Sequence, residues 1–249
     1  MHRTCVALFA TVLLAAPVVR GAEPTPIASR PEHDPIEPVN RGIFRFNDAV
    51  DTWVLEPVAT GWHWVMPDPV EKAVSRFFDN LRFPIVLVND VLQGKVVAGA
   101  SDVGRFAVNT TAGVAGFFDP ATHLGLDRHD EDFGQTLGAW GLPPGPYLVL
   151  PFLGPSTIRD TGGLAVDAAT YVPVWFVEWY VTTGSRLVEA VNTRAHYLDE
   201  VRKNKEAALD YYEFVRDAYL QHRRALVNDS EDVPAEEQQD IYELEPTKR

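Results

Sequence analysis

The amino-acid sequence predicts an all-α fold: one helical domain interrupted by an irregular, apolar hairpin rich in glycine and proline. Three observations carry this. Apolar residues recur at helical spacing from Val39 onward. No stretch alternates apolar and polar residues with the period of two that marks a half-buried strand. Residues 131–160, EDFGQTLGAWGLPPGPYLVLPFLGPSTIRD, combine five glycines and five prolines with Trp140, Leu142, Tyr147, Leu148, Val149, Leu150, Phe152 and Leu153. A solvent loop is polar, and a regular helix does not carry this much proline. The stretch therefore reads as a rigid turn, packed against protein or dipped into lipid.

The chain has 249 residues and a net charge of −13. That length suits one domain with a sizeable core. The charge argues against nucleic acid and against simple electrostatic docking on anionic lipid. Residues 1–22 read as a secretory signal peptide: Arg3, an uncharged run from Val6 to Val19, then the small residues Gly21 and Ala22. The run falls short of the ~20 residues that a membrane span needs. Cys5, the single cysteine, precedes that run. The mature chain is thus expected to lack disulfides and thiolate metal sites. Residues 23–33 form a linker with Pro24, Pro26 and Pro31. The folded domain is expected over residues 34–228. Residues 229–249, with eight acidic and two basic residues, are expected to be a disordered acidic tail.

Asp34-Pro35-Ile36-Glu37-Pro38 starts a helix, with proline early and acids at the positive end of the dipole. Val39, Ile43, Phe46, Val50 and Val54 follow on one face. Asn40, Phe44, Asn47 and Asp51 share another, and Asn and Asp on an amphipathic helix ordinarily form its solvent side. Pro57 ends or kinks this helix. Asp68-Pro69-Val70-Glu71 opens the next, with Asp68 as N-cap. Phe83-Pro84 starts a further segment that Gly94 closes. Residues 95–116 read as a helix with small residues four apart, Ala100/Gly104 and Ala112/Gly116, which lets backbones approach. Residues 164–181 are apolar but broken by Asp167, Pro173 and Glu178. They carry Tyr171, Trp175, Phe176, Trp179 and Tyr180, rings that favour a membrane–water boundary. Residues 185–227 are charged and helical, with a break expected near Lys203-Asn204.

Catalytic and metal chemistry find little support. His123, His129, Asp130, Glu131 and Asp132 lack the paired spacing of a helical metal motif and read as a polar turn whose acids cap the next helix. Ser156 lacks the Gly-x-Ser-x-Gly elbow of a hydrolase. The glycines of residues 134–145 come without the lysine of a phosphate loop. No enzyme activity, cofactor or metal is expected.

DPIEPVNRGIFRFND (residues 34–48), VNDVLQGK (88–95), RFAVNTTAGVAGFFDPAT (105–122) and the long 131–160 stretch together resemble the VacJ/MlaA family of Gram-negative outer-membrane phospholipid-transport proteins. The resemblance covers residues 34–228. It implies a helical ring in the inner leaflet of the outer membrane around an amphipathic channel. Mislocalised phospholipid leaves the outer leaflet through that channel for a soluble periplasmic carrier, and a trimeric porin is a partner. On this reading the hairpin, with Gly138, Trp140, Gly141, Gly145, Tyr147, Leu148, Leu150, Phe152 and Gly154, is the channel's wall or a gate hinged on glycines. Asn40, Asn47 and Asp51 are its polar side. Typical members carry a cysteine directly after the signal peptide, and this chain has none there. Either lipid attachment is absent, or the chain starts elsewhere, or embedding alone holds the protein, with each buried Trp or Phe stabilising by ~2 kcal/mol. Two other readings remain: a porin-associated scaffold that moves no lipid, and a lipid hydrolase using His129 and nearby acids.

Overall fold

The computed structural model describes residues 34–229. The expected signal peptide and linker and nearly all of the expected acidic tail lie outside the described residues. The chain opens with α1 (Glu37–Val50), passes through a π-helical turn (Asp51–Leu55) and continues as α2 (Glu56–Val65). Pro57 has no N–H to give, and its ring crowds the carbonyl four residues back. The backbone widens ahead of it, and the Glu56 N–H donates to the Asp51 carbonyl, five residues back. The expected break is a bulge in a continuous rod.

Helix α3 (Asp68–Gln93) runs straight through Pro84, so no new segment starts at Phe83. A single lost backbone bond is tolerated inside a 26-residue helix packed on its neighbours. Pro67, not Asp68, holds the N-cap position. Gly94 ends the helix as expected, at φ 76°. Helix α4 (Val96–Thr111) stops before the second small-residue pair: Val114, Ala115 and Gly116 all have positive φ. A Cβ on Gly116 would lie 2.5 Å from Asn80 Cβ, so this turn needs glycine. Asp119 caps α5 (Pro120–His123), and Asp132 caps α6 (Phe133–Ala139), the latter the role predicted for the acids of the polar turn.

Strands β1 (Tyr147–Leu150) and β2 (Gly154–Thr157) then pair antiparallel, with Tyr147 opposite Thr157 and Leu150 opposite Gly154. The hairpin is therefore regular, not irregular. Four-residue strands are too short for a period to show in sequence. Phe152 at φ 62° and Gly154 at φ 82° turn the chain between them. Helices α7 (Ile158–Thr170), α8 (Pro173–Phe176), α9 (Trp179–His196), α10 (Leu198–Ala207) and α11 (Tyr211–Val227) complete the domain. The C-terminal region breaks at Tyr197 and at residues 208–210. It does not break at Lys203-Asn204, because the Asp210 carboxylate accepts the Tyr212 and Glu213 N–H groups and starts α11.

Among the described residues, buried polar and charged side chains outnumber buried apolar ones. One apolar cluster joins Tyr147 and Val149 to Tyr212 and Tyr219. Another places Ala59, Ala195 and Leu198 beneath Trp62. Elsewhere ion pairs fill the interior. Arg223 spans Asp132 at 2.5 Å and Asp160 at 2.9 Å, and Arg194 holds Asp51 at 2.7 Å. Large apolar side chains cover the outside instead: Trp53, Trp64, Val97 and Phe176 are 81–87% exposed. On α1 the expected faces are inverted. Val39, Phe46 and Val54 point outward, while Asn40 and Asp51 are buried. Among the described residues no helix is long and apolar enough to cross a membrane.

Candidate functional site

Two asparagines on α1 fasten the hairpin. Asn40 donates to the Tyr147 carbonyl at 3.0 Å, and its Oδ1 accepts the Val149 N–H at 3.0 Å. Two helical turns later Asn47 repeats the pattern, donating to the Leu150 carbonyl at 2.9 Å and accepting from the Phe152 N–H at 2.8 Å. A side-chain amide offers a donor and an acceptor side by side, which matches the free N–H and C=O of a strand edge. Asn40 also donates to Asp34 at 2.7 Å, and the Tyr212 hydroxyl donates to the same carboxylate. Burial, then the bond to Asp34, pushes the Tyr212 phenol well above its ordinary range.

Beyond the hairpin, Asp51 begins the π turn and accepts from Arg194 at 2.7 Å and from Lys205 at 2.9 Å. Burial alone would raise its pKa, but the two cations outweigh it and hold the carboxyl below the usual range. Lys205 also pairs with Asp48 at 2.7 Å. Burial opposes its charge, yet the two carboxylates keep the ammonium above the ordinary lysine range.

Between the hairpin, the π turn and helices α9 to α11 lies a cleft of ≈ 750 Å³ of atom-free space, counting the part open to solvent. Phe44, Leu55, Pro155, Val201, Tyr211 and Val215 give it apolar walls, and Asp48, Asp51, Arg194 and Lys205 give it a charged group. An apolar wall beside a few convergent polar groups suits an amphiphile. Of the predicted residues, Asn47, Asp51 and Gly154 line this cleft. Tyr147 does not, because it is fully buried against Tyr212 and Tyr219. Leu148 and Leu150 are half-buried in β1, and Phe152 sits at the exposed tip against Phe46. Gly138 is no hinge: a Cβ there would lie 2.7 Å from Val227 and 2.9 Å from Arg159, so it marks close packing of α6. Gly141 and Gly145, at φ 89° and 70°, shape the approach to β1. Trp140 donates its indole N–H to the Leu92 carbonyl at 3.1 Å.

Of the five rings expected at a membrane boundary, Trp175, Phe176, Trp179 and Tyr180 are exposed. Tyr171 is not. It turns inward where α7 ends, and the Arg186 guanidinium lies 3.9 Å over its ring. The polar turn is spent on two ion pairs, Asp130 with Arg82 at 3.2 Å and Glu131 with Lys95 at 2.8 Å, and on a hydrogen bond between His129 Nδ1 and Asp102 at 2.9 Å. Arg194, Lys205, Tyr211 and Val215 went unread as site residues. They converge from separate helices, and no local spacing signals that.

A helical domain with buried ion pairs, many exposed large apolar side chains and an amphipathic cleft is of a class suited to a membrane setting and to amphiphiles. The chain belongs to the MlaA lipoprotein family, whose family model matches residues 32–226. It is 38% identical over 207 residues to "Intermembrane phospholipid transport system lipoprotein MlaA" of Shigella flexneri, covering 82% of each chain. The protein of that name from Escherichia coli K12 is 37% identical over 207 residues, again with 82% of each chain covered. The fold is similar to a solved structure described as the structural basis for maintenance of bacterial outer membrane lipid asymmetry, with TM-score 0.69, 35% identity, 78% of this chain covered and 99% of that one.

Proposed function

We propose that the chain transports phospholipid between membranes. It takes mislocalised phospholipid from the outer leaflet of the outer membrane and passes it to a soluble periplasmic carrier, so that lipid asymmetry is maintained. One observation carries this reading: many large apolar side chains are exposed, several ion pairs are buried, and a cleft opens between the hairpin and the C-terminal helices. Trp53, Trp64, Trp175, Phe176 and Trp179 seat the helices as a ring in the inner leaflet, where their burial stabilises by ~2 kcal/mol each. Several such side chains together add to retention in the membrane. An acyl chain lies along Phe44, Leu55, Val201 and Val215, and the headgroup stays with Asp51, Arg194 and Lys205. The hairpin is a fixed wall, because Asn40 and Asn47 clamp it along its length. No bond is made or broken, so the protein acts as a channel and not as an enzyme. The relatives are named for a transport system, which supports partners of some kind; the partners we propose are a trimeric porin and the carrier.

The test is transfer of fluorescent phospholipid from vesicles holding the purified chain to a lipid-extracting acceptor. Wild type accelerates transfer of intact lipid, and Val215→Trp, which fills the cleft, removes most of that acceleration. A scaffold moves no lipid, and a hydrolase releases lysophospholipid. Either result replaces this reading.

A further inference from the structure

We propose that His63, Asp68 and Glu71 bind a divalent transition-metal ion of the zinc class at the corner between α2 and α3, apart from the lipid cleft. His63 lies in the last turn of α2, and Asp68 and Glu71 lie in the first turn of α3. Met66-Pro67 turns the chain between them, so that one ligand atom from each residue lies within 4.8 Å of the others. His63 Nδ1 and Glu71 Oε1 are 3.1 Å apart. That is close to the ~3.4 Å between two ligand atoms of a tetrahedral zinc with ~2.1 Å bonds. Asp68 is exposed, so a rotamer change brings its carboxylate in. One imidazole nitrogen and two carboxylate oxygens suit zinc, with water completing the shell.

The second observation is Glu71 itself. It is 1% exposed, and among the described residues its one ion-pair partner is His63. The buried carboxylates Asp51 and Asp160 each have an arginine against them instead, whereas Asp102, like Glu71, has a histidine. A buried carboxylate is costly unless a cation neutralises it, and an imidazole is a cation only when protonated. The scaffold around the trio is fixed independently of any ion. Asn192 donates to the Glu71 carbonyl at 3.0 Å and to Ser75 Oγ at 2.9 Å, and Trp62 donates to Asn192 Oδ1 at 3.1 Å. A bound ion therefore ties two preset helix ends together beside the exposed Trp64.

The full chain in detergent, stripped with a chelator and titrated with Zn²⁺ by calorimetry, tests this. His63→Ala and Asp68→Asn change exposed side chains, so folding is retained, and Glu71→Gln removes the buried charge. Wild type is expected to bind one equivalent. The first two variants are expected to lose about tenfold or more in affinity, and zinc raises the thermal midpoint of wild type alone. The other histidines are common to every sample and cancel. Wild type without stoichiometric zinc binding, or either exposed-residue variant binding as tightly as wild type, overturns the proposal.

Discussion

Asn40 meets three partners from a fully enclosed position, and two of them are backbone groups of β1. Replacing it with alanine leaves the Val149 N–H and the Tyr147 carbonyl buried and unpaired. Asn40→Ala is therefore expected to cost about 2–3 kcal/mol, read from denaturant midpoints followed by circular dichroism. Asn47→Ala, at a partly exposed position, is expected to cost less. Equal or negligible losses would show that the clamp does not hold the hairpin. Titration separates two kinds of buried acid. Asp90 is fully buried, and neither carboxylate oxygen has a hydrogen-bond partner. Burial, then the charges of Asp102 and Glu131, raises its pKa to about 7. A raised carboxyl favours the folded state at low pH, and that contribution is lost as pH rises from the ordinary carboxylate range through about 7. Asp90→Asn is thus expected to have a higher thermal midpoint than wild type at pH 8, with the two converging near pH 4. Asp132 is the reverse case. Burial opposes its charge, but the hydrogen bonds and charge of Arg223 bring it to about 2. Its contribution is present above the ordinary carboxylate pKa and is lost as pH falls toward about 2. An acid-unfolding limb in that window is expected to flatten in Asp132→Asn. The spacing of Asn40, Asn47 and Asp51 was legible as a stripe. Its direction was not, because periodicity shows that two faces differ but not which one meets the surroundings.

The hairpin carries the main argument about elements. Its composition announced a rigid apolar turn, and its strand register stayed hidden in two four-residue runs. The asparagine clamp favours a wall over a gate, since a hinged gate requires these bonds to break in one state. A thiol cross-link between Phe46→Cys and Phe152→Cys, whose native rings meet at 5.0 Å, fixes the hairpin tip to α1. Lipid transfer is expected to be the same before and after cross-linking. A large loss that reduction restores would make the hairpin a gate. Helix ends were read correctly where a cap acts through a few adjacent residues, as at Gly94 and Asp132. They were misread at Pro84, where packing on α4 and α9 outweighs one missing backbone bond. The breaks on either side of α10 were misplaced for a related reason: the Asp210 cap was overlooked within a uniformly charged stretch.

The whole molecule is arranged for an apolar surround. Several of its ion pairs are buried, and Trp53, Trp64, Trp140, Trp175 and Trp179 are exposed, unlike a domain stabilised by water at its surface. Replacing Trp64, Trp175 and Phe176 with serine is expected to move the chain, expressed without any acyl anchor, from the membrane fraction into a detergent-free extract. Circular dichroism checks that the helices remain. Persistence in the membrane would assign retention to other contacts. The all-helical class was legible in the sequence because helical spacing recurs over most of the chain. The cleft was not, because its walls come from α1, β2, α9, α10 and α11 and meet only in the folded state. The central claim is that phospholipid occupies this cleft, and a photoactivatable phospholipid tests it most directly. After illumination of the chain in vesicles, peptide mass spectrometry maps the adducts. The account predicts adducts on Leu55, Tyr211 and Val215 in addition to the outer ring of tryptophans. Adducts confined to Trp53, Trp64, Trp175 and Phe176, with none on the cleft walls, would contradict it.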